Sequence, residues 1–287
     1  MGIAFLLMAA FLWGMIGPVS KAVFNLGISP LESAFWRGVL AGLAFFIHWL
    51  IKRYPLPKSS KDWLNILLFG IFGVALLEGS FVLAVDFGGA ALASILLYSA
   101  PIWVNLCNLL VFKEPIPRKR WLALAVTSCG VIGICLWGAT VSFSQKALIW
   151  GLLSGVSYAG FYVTGKIFFK RINPVVVYMI AFPVASVAIL PFISILAEKS
   201  MWSILNSPMT YTYEALCFIV FIGWISTYLP YLLYGAGLRL VDAGRAAIIT
   251  MIEPVVAVAL ASLVWGERLS VAGYLFAALV LLGVYLS

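Results

Sequence analysis

The chain has 287 residues, of which 64% are hydrophobic and 10% charged, and its mean hydropathy is +1.11. Soluble domains carry roughly 25% charged residues, so a water-soluble domain is excluded. The net charge of +8 suggests an anionic macromolecule such as nucleic acid, but the basic residues cluster at the ends of apolar stretches, where they serve membrane orientation; no nucleic-acid partner is expected.

A hydrocarbon layer about 30 Å thick takes about 20 helical residues. Ten stretches qualify: 3–22, 31–51, 63–85, 90–112, 120–139, 147–168, 174–196, 213–236, 242–264 and 270–286. They lack the alternation of barrel strands, and a backbone in lipid must bond to itself, so each is read as a helix. The expected fold is all-α, a polytopic membrane protein of ten transmembrane helices.

In chain order, the first stretch has no basic leader or small-residue cleavage site and is read as retained; it carries Trp13-Gly14. The second holds Arg37, a Gly38-xxx-Gly42 spacing that permits close helix contact, and His48 near its end. The third places Glu78 deep within the apolar run, with Phe81 beside it. In the fourth, Ser94, Tyr98, Pro101, Asn105 and Asn108 recur at helical spacing as one stripe that must avoid lipid. Glu114 closes it. The sixth presents Ser154, Ser157, Phe161 and Thr164 with Tyr158 and Tyr162 alongside, and the eighth presents Thr227, Tyr231 and Tyr234. Rings with hydroxyl tips can line a pocket for an amphipathic solute or bond locally between packed helices. The ninth contains Glu253 before Pro254, whose missing N–H loosens the helix, and Glu267 follows its end. Cys107, Cys129, Cys135 and Cys217 form no CxxC pair and are read as small buried hydrophobes.

Ionisable groups inside a span cost about 2.5–3.5 kcal/mol on insertion scales, so those present are expected to face a cavity or a partner. Glu78 and Glu253 are the clearest candidates, to hold a proton or a substrate ammonium; the alternative is a carboxyl satisfied between helices. Arg37, Pro101, Glu114, Pro254 and Glu267 are read as gating or structural. With the N-terminus inside, thirteen basic residues lie on the inner side against Lys21, Arg37, Lys146, Lys199 and Arg268 on the outer. That bias puts both termini in the cytoplasm.

Shifted by 153 residues, 90–130 aligns with 243–283 without a gap, pairing Ala90/Ala243, Ala93/Ala246, Ile95/Ile248, Pro101/Pro254 and Leu110/Leu263. Val111/Val264, Glu114/Glu267, Leu122/Leu275, Ala125/Ala278 and Gly130/Gly283 continue the series. The chain therefore divides into five-helix repeats, 1–140 and 141–287, and an odd number of spans makes the second copy enter the membrane inverted. Such repeats place a site at the midplane and suit alternating access.

Trp13-Gly14, Pro30 with Arg37, Pro101 with Glu114, and Glu253-Pro254 with Gly266-Glu267 resemble the repeated signature of the drug/metabolite transporter superfamily, EamA type, over essentially the whole chain. The second half departs from it by having no Arg after Asn173-Pro174. The resemblance implies a central cavity between the halves, formed mainly by helices 1, 3, 4, 6, 8 and 9. It also implies a small-molecule substrate, most simply an amino acid or related amphipathic compound exported across a bacterial-type inner membrane. Exchange or uptake of a nucleoside- or S-adenosylmethionine-like metabolite is the alternative. A membrane-embedded enzyme is the rival from another class, but one His, no HExxH, no GxSxG and no P-loop leave it without chemistry. No cofactor and no metal are expected. The expected partners are lipid, the substrate, and a proton or counter-substrate; the oligomeric state is left open, with a monomer sufficient.

Overall fold

The computed structural model describes residues 1–136, 144–196, 201–265 and 270–287. Every regular element among them is helical. Nine helices in the described residues are long and apolar enough to cross a membrane: Gly2–Asn25, Pro30–Lys52, Ser60–Val85, Leu92–Leu110, Arg118–Leu136, Gln145–Phe168, Pro174–Pro191, Tyr213–Leu240 and Ala243–Val264. A shorter apolar helix, Val271–Leu286, stands where the tenth was expected. The protein is an all-α integral membrane protein. Glu267, Arg268 and Lys199 lie outside the described residues.

Side-chain oxygens start many of these helices. Ser29, Ser144, Thr212, Asp242 and Ser270 each accept the backbone N–H three residues on, at 3.0–3.3 Å, meeting donors that the first turn leaves unbonded. Between the first two spans Gly27 takes φ +84, a left-handed turn conformation that glycine adopts without cost.

Prolines accompany three interruptions, each lacking the N–H that would reach the carbonyl four residues back, whereas Pro183 and Pro191 lie within the unbroken helix Pro174–Leu196. In the fourth span the helix ends at Leu97, four before Pro101, and resumes as Ala100–Leu110. In the ninth it ends at Thr250, four before Pro254, and resumes as Glu253–Trp265. The first span is likewise divided at Met15, between Gly2–Gly14 and Ile16–Asn25, with Pro18 four residues beyond Gly14. The third and eighth spans each contain a wide π-helical segment, Phe69–Ala75 and Trp224–Tyr228. Under the 153-residue shift the Pro101 and Pro254 breaks coincide and the two π segments overlap.

The third and fourth spans form a hairpin. Ser157 donates to the Phe72 carbonyl, while a Cβ on nearby Gly155 would lie 2.5 Å from the Leu96 carbonyl oxygen. A straight helix from Phe72 to Leu96 would be roughly 36 Å long at 1.5 Å per residue, so the chain doubles back between them and both arms pack on the sixth span.

Close backbone approach through glycine holds the other pairs. The second and seventh spans run antiparallel, with Gly42 against Pro183 and Phe45 stacked on Phe182 at 5.9 Å. The first and eighth do the same, Gly2 meeting Leu240 and Trp13 meeting Tyr231. In the fifth and tenth, a Cβ on Gly130 would lie 2.7 Å from the Val280 nitrogen, and one on Gly283 would lie 2.7 Å from the Thr127 nitrogen. These two contacts exchange places under the same shift.

Because backbone cannot yield as a flexible side chain can, Gly130→Ala is expected to destabilise the fold by about 1–3 kcal/mol. Gly79→Ala, where an added Cβ meets nothing within 4 Å, is expected to leave the protein no less stable. Thermal unfolding of the two variants in detergent, with Gly130→Ala melting several degrees lower, checks this.

Candidate functional site

The main cavity, about 660 Å³, opens among eight of the spans. Its polar lining is Trp13, Arg37, Glu78, Ser94, Tyr98, Tyr158, Tyr231 and Glu253; Phe81 and Pro254 also face it, and Ile16, Leu97, Ile134, Cys135, Ala257 and Val258 belong to its apolar wall. The implied six helices all contribute, and the second and fifth join them through Arg37 and through Ile134 and Cys135.

Most of the polar residues stand at irregular points of their helices. Tyr98 sits at the break in the fourth span and Glu253 is the first residue after the break in the ninth. Glu78 and Tyr231 lie in the first turn after the two π segments, and coincide under the repeat shift. Trp13 precedes the break in the first span by two residues. Where a helix is interrupted, backbone and side-chain polar groups need something other than lipid, which is why such points line cavities.

Arg37 forms an ion pair with Glu78, the two side chains being 14% and 21% exposed. Arg37 also lies within electrostatic reach of Glu253 and of the Tyr231 hydroxyl. The Tyr98 hydroxyl lies within electrostatic reach of the Glu253 carboxylate across the junction of the fourth and ninth spans. One guanidinium thus stands among two carboxylates, with phenolic hydroxyls and the Trp13 ring around them. Fixed charges of both signs on one wall complement a zwitterion, since guanidinium binds carboxylate in a fork and carboxylate receives ammonium.

The cavity ends at Trp13, Tyr158 and Tyr231. On the side of the chain termini the space is filled: Tyr162 donates to Tyr158 at 3.1 Å and hydrogen-bonds Thr250, and Tyr234 is wholly buried between Trp13 and Phe161, at 5.3 and 5.4 Å. Farther along, Arg120 donates to Asp242 at 3.1 Å, joining the start of the fifth span to the start of the ninth.

Of the residues singled out from the sequence, Trp13, Glu78, Phe81, Ser94, Tyr98, Tyr158, Tyr231 and Glu253 meet in the cavity, and so do Arg37 and Pro254. Tyr162 and Tyr234 lie one layer beneath it. Asn105 is fully buried, donates to the Pro101 carbonyl at 2.8 Å and packs against Gly244 rather than lining the cavity. Pro101 is buried behind the break that it causes. Glu114 is exposed past the end of the fourth span, its N–H donating to the Asn108 carbonyl at 3.0 Å. A further buried network lies outside the residues singled out: Tyr211 donates to the fully buried Glu32 at 2.6 Å, and Ser207 links Tyr211 to the Trp36 indole. The spacing Ser29-x-x-Glu32, a capping-box pattern, was its available signal. Among the described residues no three His, Cys, Asp or Glu side chains are grouped as a metal site requires.

The model of the EamA-like transporter family matches residues 1–136 and 145–287. The chain belongs to that family. Curated transporter sequences align along most of its length. An uncharacterized transporter of Archaeoglobus fulgidus is 27% identical over 276 residues, covering 95% of this chain and 92% of its own. A probable amino-acid metabolite efflux pump of Salmonella typhimurium is 27% identical over 291 residues, covering 98% and 92%. A crystal structure at 14% identity superposes with a TM-score of 0.83 over 99% of this chain and 95% of the other, a likeness of fold. Membership in the EamA-like family makes the protein a transporter and not an enzyme.

The cavity wall makes Cys135 the reporter for access. Cys129 and Cys217 are exposed on the outer faces of apolar spans, whereas Cys135 lines the cavity. Because a charged reagent travels through water and not through lipid, a cationic methanethiosulfonate is expected to label Cys135 faster than either. Mass spectrometry of the labelled protein measures the ratio; equal rates would mean that water-borne solutes do not reach Cys135.

Proposed function

We propose that the protein is a secondary transporter that exports an amino acid or a related amphipathic metabolite across the inner membrane, by alternating access at the central cavity. The observation that carries this reading is the Arg37, Glu78, Glu253 and Tyr98 constellation, drawn from both halves of the chain and closed off on the side of the termini by packed aromatic rings. Guanidinium and carboxylate on one wall suit the two ends of an amino acid. The name of the Salmonella relative, a probable amino-acid metabolite efflux pump, points the same way.

Several features support two inverted repeats, 1–140 and 141–287, with both termini cytoplasmic. The Pro101 and Pro254 breaks and the π segments recur at one sequence shift, and the second span packs antiparallel on the seventh as the fifth does on the tenth. Five spans per half would invert the second copy. On that arrangement the filled end of the cavity faces the cytoplasm, and opening it requires the Arg120–Asp242 pair and the Tyr158–Tyr162–Thr250 layer to separate. In this reading Glu253 holds either a substrate ammonium or a proton, so that the arrival of one displaces the other.

Trp13, Phe81, Tyr98, Tyr158 and Tyr231 around the same space also favour a second reading, exchange of a nucleoside- or S-adenosylmethionine-like solute whose flat or cationic group lies on the rings. Counterflow in proteoliposomes with labelled amino acids, nucleosides and S-adenosylmethionine separates the two. Glu253→Gln is expected to weaken apparent affinity for an ammonium-bearing substrate by roughly 30-fold or more, the effect of removing one partner of a desolvated charge contact. The variant is also expected to lose any stimulation by an imposed pH gradient. Transport with unchanged affinity and unchanged gradient dependence would leave Glu253 a packing residue and sink the proposed mechanism.

A further inference from the structure

A second concavity, about 330 Å³, lies on the outer face of the bundle between the second and eighth spans. The two spans run side by side there: Gly223 abuts Leu40, and the Tyr228 ring packs on Phe45 at 4.8 Å and donates to or accepts from His48 Nδ1 at 2.8 Å. The groove extends along the second span from Ala44 to Lys52, roughly 12 Å at 1.5 Å per residue.

Its chemistry changes from one end to the other. At the Ala44 end the walls are apolar and exposed, with Ile47 and Trp224 each 41% accessible. At the other end stand His48 and Lys52, close enough for their charges to interact, with the exposed Ile51 side chain between them, and among the described residues no acidic side chain lines the groove. Lys52 is the last residue of its helix, so this end meets the membrane boundary. Arg53 follows, its guanidinium over the Trp49 ring at 5.7 Å, and Trp49 and Trp63 both donate to loop carbonyls nearby, an interfacial belt of aromatic rings. The Tyr228 bond orients the imidazole and leaves its other ring nitrogen for a ligand. Trp224 and Tyr228 are the first and last residues of the π segment, which builds this wall of the groove.

A groove that is basic at the interface and apolar toward the bilayer interior has the polarity of one phospholipid molecule, and basic pockets between spans hold anionic head groups. We propose that it binds an anionic phospholipid, with the phosphate against Lys52 and His48 and an acyl chain along Ile47, Ala44 and Trp224. Neither the transport cycle nor its direction enters into this assignment.

Native mass spectrometry of the full chain, with phosphatidylglycerol and phosphatidylcholine of identical acyl chains, tests it. The unaltered protein is expected to retain phosphatidylglycerol in preference by roughly fivefold or more, the effect of one basic residue near the head group. His48→Phe with Lys52→Gln is expected to bring the preference close to parity, while Lys58→Gln with Lys61→Gln, which removes basic charge from the adjoining loop, retains it. Thermal unfolding in each lipid supplies a second readout: phosphatidylglycerol should raise the midpoint of the unaltered protein and of the loop variant but not of the groove variant. No preference in the unaltered protein would overturn the proposal, as would equal loss in both variants. A spectrum dominated by dimers that Ile47→Trp dissociates would also overturn it, assigning the groove to a second copy of the chain.

Discussion

A guanidinium cannot shed its proton, so Arg37 brings a permanent charge into a helix that must cross hydrocarbon. The position holds only because the third span presents Glu78 to it and the ninth presents Glu253 from across the cavity. That requirement fixes a good deal else. The second and third spans must be close at this depth, the space around the charges must exclude lipid, and the walls must offer hydroxyls as well as methyl groups. The Trp13, Tyr158 and Tyr231 boundary supplies these conditions on one side, and Tyr98 beside Glu253 supplies them on the other.

The same economy governs the backbone. A proline within a span leaves a carbonyl without its usual donor, and Pro101 and Pro254 do so next to residues that carry the polar chemistry. The π segments in the third and eighth spans act comparably, since a wide turn changes which side chains share a face, and Glu78 and Tyr231 follow them directly. Irregular backbone and functional side chains therefore occupy the same depths, while regular stretches such as the fifth and tenth spans pack through glycine against backbone.

Much of this was legible in the sequence. Spans could be counted because lipid imposes length and hydropathy on each one, and Glu78 and Glu253 stood out because a carboxylate in such a run has few tolerable surroundings. The fourth-span stripe was only half informative. Ser94 and Tyr98 face the cavity but Asn105 does not, because the break at Tyr98–Ser99 interrupts the 3.6-residue period that placed them on one face. Tyr162 and Tyr234 share helices with cavity residues, and whether a face meets an opening or a neighbour depends on a partner distant in sequence. The pairing of Arg37 with Glu78 is not legible in the sequence because the partner lies on another span, and the π segments leave no mark in composition. The Glu32 network shows the same limit, since its closing contacts come from Ser207 and Tyr211, far along the chain.

The repeat is not perfect where charge is concerned. Glu78 falls on Tyr231 under the shift, and the seventh span has no arginine in the place that corresponds to Arg37. Under the alternating access proposed above, an unmatched ion pair makes the two end states unequal in electrostatic energy even with no solute bound. The resting population would then sit on one side of the membrane by default, and a gradient or a returning solute would act against a built-in bias rather than on a balanced seesaw.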